Sequence, residues 1–119
     1  MRLVVAGGRD YSLTDVDRSW LLALCRRHTV SEIVSGGAPG ADRGGEECAE
    51  SFGLRLKVFR ADWKTHGRGA GPIRNRQMAE YTDLVALFPG GAGTRSMQRE
   101  AERVNKPVFT APRHTKCIR

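Results

Sequence analysis

The stretch LFPGGAGT, Leu87 to Thr94, carries an apolar run into a helix-like pattern through one proline and three glycines. The residues before it, DLVALF (83–88), are apolar without alternation, as in a strand covered on both faces. Pro89 has no N–H and stops that strand's ladder. Gly90, Gly91 and Gly93 permit a tight turn. Thr94 then reads as the N-cap of a helix over about 94–104, with Met97, Ala101 and Val104 facing inward. A strand, a glycine loop and a helix N-terminus in this order leave free backbone N–H groups at the positive end of a helix dipole. Such a loop forms a nest for an anion.

Working outward from this unit, the same grammar repeats. RLVVA (2–6) reads as a buried strand, EIVS (32–35) as a short second one, and LRLKVF (54–59) as a third, alternating and wet on one face. PVFT (107–110) is the last. Between the strands lie helices over 14–28, with Thr14 as N-cap and Val16, Trp20 and Leu24 on the inner face, and over 40–52, ending at Gly53. Gly44 and Gly45 sit inside the second helix. Each costs about 1 kcal/mol against alanine, which implies close helix–sheet approach there. Residues 60–71 read as a long loop, after which Pro72 opens a helix to about Thr82.

This alternation predicts an α/β fold, a three-layer doubly wound sheet of five parallel strands. The strands at 2–6 and 83–88 are the most apolar and belong in the centre. The alternating third strand and the Pro107 strand suit the edges. The order 3-2-1-4-5 satisfies all of these. It places a switch of winding between the first and fourth strands, where ligands bind outside the carboxyl ends. The loops there are GGRD (7–10) and PGGAGT (89–94).

Length and composition set outer bounds. The 119 residues suffice for one domain, read as 1–112, with a basic tail over 113–119. No apolar run is long enough for a membrane span, and the N-terminus is too poor in apolar residues for a signal peptide. The three cysteines are scattered without a CxxC, so neither zinc nor disulfides are expected, and a reducing cytoplasm is the simplest setting. We expect no metal, no cofactor, no membrane partner, and a homo-oligomer. The net charge of +7 favours an anionic partner without saying which.

Four glycine-bearing loops follow four strands: GGRD (7–10), SGGAPGAD (35–42), GRGAGPIRN (67–75) and PGGAGT (89–94). Converging on one sheet edge, they point to phosphate binding. Candidate ligand-binding residues are Gly7, Gly8, Arg9, Gly36, Gly37, Asp42, Arg74, Asn75, Pro89, Gly90, Gly91, Gly93 and Thr94. At about 100° per residue, Arg74 shares a helix face with Met78 and Tyr81, while Arg76 and Gln77 point elsewhere. An arginine is therefore aimed inward, either as an anion ligand or with its stem on the core. Asp10 is a turn residue or an acid/base group. Asp42 is a helix-start residue, a ribose acceptor or an acid/base group. Trp63 either stacks on a base or covers the core, and His66 reads as solvated. No GxxxxGK[ST] is present, and GAGTRS lacks the last glycine of a dinucleotide fingerprint.

The motifs AGGRD, GGAPGAD, GPIRNRQM and PGGAGT, in this order over about residues 2–111, resemble the SLOG superfamily, whose members include DprA/Smf and the LOG "lysine decarboxylase-like" proteins. The branch most similar is that of the small YspA-like proteins, some of them phage-borne. The resemblance implies a Rossmann-like fold that binds nucleotides or nucleotide-derived ligands. LOG enzymes hydrolyse the base–ribose bond of nucleoside monophosphates and carry a glutamate pair shortly after PGGxGT. Here Arg95, Ser96 and Met97 follow instead, so the binding half of that site is present and the acidic half is not.

Three functions follow as expectations. The first is a sensor or sequestering protein for a nucleotide or nucleotide-derived signal. The second is a nucleotide-processing hydrolase, with Asp10 or Asp42 as its acid/base group. The third is a nucleic-acid-binding module of DprA type.

Overall fold

The computed structural model describes residues 1–112; the basic tail expected over 113–119, with Cys117, lies outside the described residues. The strands are β1 (Arg2–Ala6), β2 (Glu32–Ser35), β3 (Arg55–Val58), β4 (Leu84–Leu87) and β5 (Val108–Thr110). They form one sheet in the order β3-β2-β1-β4-β5, every neighbouring pair parallel. The fold is therefore the three-layer, doubly wound α/β sheet that the strand pattern implies. The helices are α1 (Asp15–Arg27), α2 (Ala41–Phe52), α3 (Trp63–His66), α4 (Ala70–Tyr81) and α5 (Ala92–Arg103), with a 3-10 turn at Gly67–Gly69.

Alternation along the central strands divides the core in two. Leu3 and Val5 of β1 and Leu84, Ala86 and Phe88 at β4 pack with Leu21, Leu24 and Cys25 of α1 and Cys48 and Ala49 of α2. Val4, Ala6, Val85 and Leu87 face the other way, against Met78 and Ala79 of α4 and Met97 and Ala101 of α5. Pairing of Leu3 with Leu84 and of Val4 with Val85 keeps each set on its own face. All four residues of β4 are buried, whereas the first three of β3 are exposed, as befits centre and edge.

Four local readings are corrected. The inner face of α1 is Asp17, Leu21, Leu24 and Cys25; Val16 is 61% exposed. A capping box turns the helix this way. Asp17 N–H donates to Thr14 Oγ1 at 3.1 Å, and Thr14 N–H donates to Asp17 Oδ2 at 2.9 Å. Asp17, 1% exposed, also accepts from the Tyr11 hydroxyl at 2.5 Å, so a carboxylate occupies the inward place given to Val16. Residues 60–71 are not a continuous loop: Asp62 caps α3 by accepting from Thr65 N–H at 3.2 Å. Helix α4 begins at Ala70, leaving Pro72 third in the first turn, where a missing N–H costs nothing. Helix α5 begins at Ala92 with Gly91 as its N-cap, so Thr94 lies inside the first turn rather than at the cap.

The close approach expected at Gly44 and Gly45 is present. A β-carbon on Gly45 would lie 2.7 Å from Val5 Cβ, and one on Gly44 would lie 2.8 Å from Leu13 Cδ1. Helix propensity alone favours alanine over glycine by about 1 kcal/mol. Overpacking against a strand's own Cβ costs about 1–3 kcal/mol and cannot be relieved by swinging a flexible chain end. Gly45→Ala is therefore expected to lower the melting temperature by several degrees, measured by circular dichroism. A rise would show that α2 can lift off β1 freely.

Candidate functional site

The carboxyl edge of the sheet gathers the glycine loops into contact. Gly8 N–H donates to Pro89 O at 2.7 Å, and Ala41 N–H donates to Gly8 O at 3.1 Å, so the β1, β2 and β4 loops meet at Gly8. A β-carbon on Gly7 would lie 2.6 Å from Ala41 Cβ. One on Gly40, at φ +80°, would collide with the Gly8 and Arg9 carbonyls. On Gly90 it would lie 2.6 Å from Gly8 N and strike the Thr94 hydroxyl. These glycines are fixed by packing. Gly91 and Gly93 differ: a β-carbon on either would meet no atom within 4 Å.

Two cavities lie at this edge and share Gly7, Arg9, Ala92, Gly93 and Thr94. The shallower, about 540 Å³, is bounded by the β1 loop from Gly7 to Tyr11 and by Pro89–Thr94. The other, about 530 Å³, runs under the sheet edge between α4 and α5, with Asp42, Trp63, Arg74, Asn75, Met78, Ser96, Met97, Arg99 and Glu100 on its walls. That volume suits a small organic ligand.

A polar strut crosses the second cavity. Arg74 Nη1 donates to Gly36 O at 2.5 Å, and its Nε donates to Asn75 Oδ1 at 2.9 Å. Asn75 Nδ2 in turn donates to Ser96 Oγ at 3.2 Å and to Gly93 O at 3.4 Å. The β2–α2 loop is thereby tied through α4 to the first turn of α5. A β-carbon on Gly36 would sit 2.5 Å from Arg74 Nη1, so that glycine seats the guanidinium. Arg74 does face inward, while Arg76 and Gln77 are exposed. Burial lowers its pKa first of all; Asp42 raises it and Arg9 lowers it further, which places both charges within electrostatic reach.

Asp42, 6% exposed, is the buried acid of this cavity. Its Oδ2 accepts from Ala38 N–H at 3.3 Å. Burial pushes its pKa from 3.8 to about 6, with Glu46 adding to the rise, while the N–H groups of Ala38 and Gly36 and the charge of Arg74 oppose it. Glu46 is engaged by the Ser35 hydroxyl at 2.7 Å, and Ser35 Oγ accepts from Gly37 N–H at 3.1 Å. Asp10 is exposed on the wall of the shallow cavity. Tyr11 stands beside it, stacked on Phe88 with ring centroids 6.1 Å apart. Burial and the bond to Asp17 push its hydroxyl up to about 12.

The candidates thus fall into groups. Gly7, Arg9, Asp42, Arg74, Asn75, Gly93 and Thr94 line the deeper cavity; Gly8, Pro89, Gly90 and Gly91 line only the shallow one, with Asp10. Gly36 and Gly37 lie behind the wall as supports for Arg74 and Ser35. Sequence reading missed Ser96, Arg99 and Glu100. Arg99 and Glu100 follow Ser96 by three and four residues, and that helical spacing carried the signal, since one face of α5 at its N-terminal end borders the crevice. Trp63, 55% exposed on the cavity wall, does not cover the core. His66 is exposed, as its loop setting implied.

A parallel five-stranded sheet with a glycine-lined crevice at its switch point defines a Rossmann-like α/β protein. The family model described as YspA, cpYpsA-related SLOG family matches residues 1–66, more than half of the chain, and the protein belongs to that family. It is similar to the Gene 61 protein of Mycobacterium phage D29, 39% identical over 85 residues, covering 65% of this chain and 68% of that one. Its fold is similar to the X-ray structure of TM1055, with a TM-score of 0.65 at 19% identity, over 90% of this chain and 71% of the other. It is a Rossmann-like protein of the SLOG family. Among the described residues no helix is long and apolar enough to cross a membrane.

The Asp42 shift predicts a pH effect. Folding favours the protonated acid, so this contribution to stability is fully present below about pH 3.8 and is lost as pH rises through about 6. Asp42→Asn keeps an acceptor for Ala38 N–H and cannot ionise. Its melting temperature is expected to exceed that of the wild type near pH 8 and to fall less between about pH 4 and 7. Parallel pH profiles for the two proteins would show that Asp42 does not titrate in this window.

Proposed function

We propose that the protein binds a nucleotide or a nucleotide-derived small molecule in the cytoplasm, as a sensor or sequestering protein. The ligand's phosphate lies at the N-terminus of α5, against Gly91, Gly93 and Thr94, with Arg9 neutralising charge. Arg74, Asn75 and the β1 loop hold these groups in place, and the deeper cavity takes the rest of the ligand.

The observation that carries this reading is the Thr94 hydroxyl. Its oxygen is buried and has no hydrogen-bond partner among the described residues. A buried polar group left unpaired costs about 1–3 kcal/mol. This one sits in the first turn of α5, where the helix dipole and free N–H groups favour an anion. Around it, the glycines whose β-carbons would meet nothing are Gly91 and Gly93, which line the cavities. Thr94 lines both cavities, and rotation of its side chain away from Gly90 gives the hydroxyl a partner in a phosphate oxygen.

A second reading rests on Asp42. A carboxyl held in a cavity with its pKa near neutrality has the properties of a general acid or base. On that reading the protein hydrolyses its nucleotide. Product appearing with bound nucleotide, and ceasing in Asp42→Asn, would favour this over simple binding. A nucleic-acid module would instead lose oligonucleotide affinity steeply with salt.

Gly91→Val tests the binding reading. Gly91 has φ −109°, outside the left-handed region, and open space where a side chain would stand. The variant is expected to fold at a modest cost in stability, since valine caps a helix less well than glycine, and to lose nucleotide binding in calorimetry against a panel of nucleoside mono- and diphosphates. A folded variant with wild-type affinity would remove the phosphate from this loop.

A further inference from the structure

Trp63 stands apart from the rest of the fold. Helix α3 contributes no buried residue, and its tryptophan, the bulkiest apolar side chain available, is 55% exposed. Tryptophan is highly buried on average, so this indole leaves a large apolar face open to solvent. Its place is specific: it lines the deeper cavity together with Arg9, Arg74 and Asp42. The ring leans over the first turn of α4, where a β-carbon on Gly71 would come 3.6 Å from Trp63 Cη2. Gly71 thus leaves the helix surface low beside the indole.

Met78 and Met97, 2% and 1% exposed, also line the cavity and are fixed in the core between α4, α5 and the sheet. A single cavity lined by cations, the first turn of a helix and a free indole matches a flat ring carrying an anionic tail. A sugar phosphate would leave the indole unused. Sulfur and aromatic side chains both make favourable contacts with π-systems.

Building on the nucleotide reading, we propose that Trp63 is the base-stacking residue of this site: the base of the ligand lies on the indole while its phosphate meets the first turn of α5. Trp63 thereby discriminates base-bearing ligands from sugar phosphates.

The test compares AMP with ribose 5-phosphate, by calorimetry, on wild type, Trp63→Leu and Trp63→Phe. Stacking on an aromatic side chain strengthens binding by roughly ten- to a hundredfold per base. Wild type is expected to bind AMP more tightly than ribose 5-phosphate by about that factor. Trp63→Leu brings AMP down to the affinity of ribose 5-phosphate, leaving the latter unchanged, and Trp63→Phe keeps most of the AMP preference. Tryptophan emission provides a second readout, because AMP is expected to quench the wild type and not Trp63→Phe, in which Trp20 alone remains. Trp63→Leu binding AMP as the wild type does would overturn the stacking role while leaving the nucleotide reading intact. Equal loss of both compounds would make Trp63 a structural residue and overturn it too. A wild type that binds neither compound would bring down the nucleotide reading, and stacking with it.

Discussion

There is no room for a β-carbon where β1 runs out beneath the start of α2. Gly7 packs against Ala41, Gly45 against Val5, and Gly40 against the Gly8 and Arg9 carbonyls. This close approach orders the rest of the carboxyl edge. It fixes the N-terminus of α2, and so the burial of Asp42 in its first turn. It draws the β1 loop over the sheet edge, where Gly8 donates to Pro89 and meets the β4 loop at Gly90. The parallel pairing of β1 with β4 then sends α1 and α5 to opposite faces and leaves the crevice between them.

The strut from Gly36 O through Arg74 and Asn75 to Gly93 O and Ser96 closes the other side. Its construction carries a consequence for charge. Arg74 spends donors on the protein itself, so it serves the cavity as a positioned cation more than as a free fork. Arg9, exposed on its loop, makes no such side-chain hydrogen bond among the described residues and is free to follow a ligand. Against these cations stands Asp42, whose burial disfavours its own negative charge. A proton on Asp42 would leave the arginines as the dominant field in the cavity. On the binding reading proposed above, affinity for an anion would be coupled to the protonation of this one acid.

The order of the strands was legible because it rests on hydrophobic content, which is local: uniform runs at β1 and β4, a polar β3, and a proline before β5. The inward aim of Arg74 was legible for a similar reason, since helical periodicity fixes direction without knowledge of partners. Three features were not. The Val16 face failed because Asp17 is pulled inward by Tyr11 and Thr14, and a buried carboxylate reads as surface until its donors are known. The start of α5 slipped by two residues because glycine can cap a helix without any side-chain signal, while Thr94 advertises a cap it does not form. Helix α3 was invisible because four residues with no buried member carry no periodicity.

The same logic separates glycines that a sequence presents alike. In PGGAGT, Gly90 is required by the fold, since its neighbours on the β1 loop fill the space of a β-carbon, whereas a β-carbon on Gly91 or Gly93 would meet no atom within 4 Å. Packing gives no reason to exclude side chains from the latter two; glycine is a good N-cap at Gly91, but at Gly93, inside the first turn, it costs stability relative to most residues. The same reasoning applies to Met97, which follows PGGAGT where LOG-type proteins carry acids. At 1% exposure it belongs to the core against Met78 and Ala101, and a carboxylate there would be buried among apolar groups. An acidic function in this cavity therefore has to come from elsewhere. Glu100, one turn further along α5, is held by Arg103 at 2.9 Å. Asp42 reaches the cavity from the opposite helix layer, with burial already tuning it toward neutrality. On the hydrolase reading, Asp42 is the acid of the deeper cavity whose burial suits it to proton transfer, while Asp10 stands exposed in the shallow one.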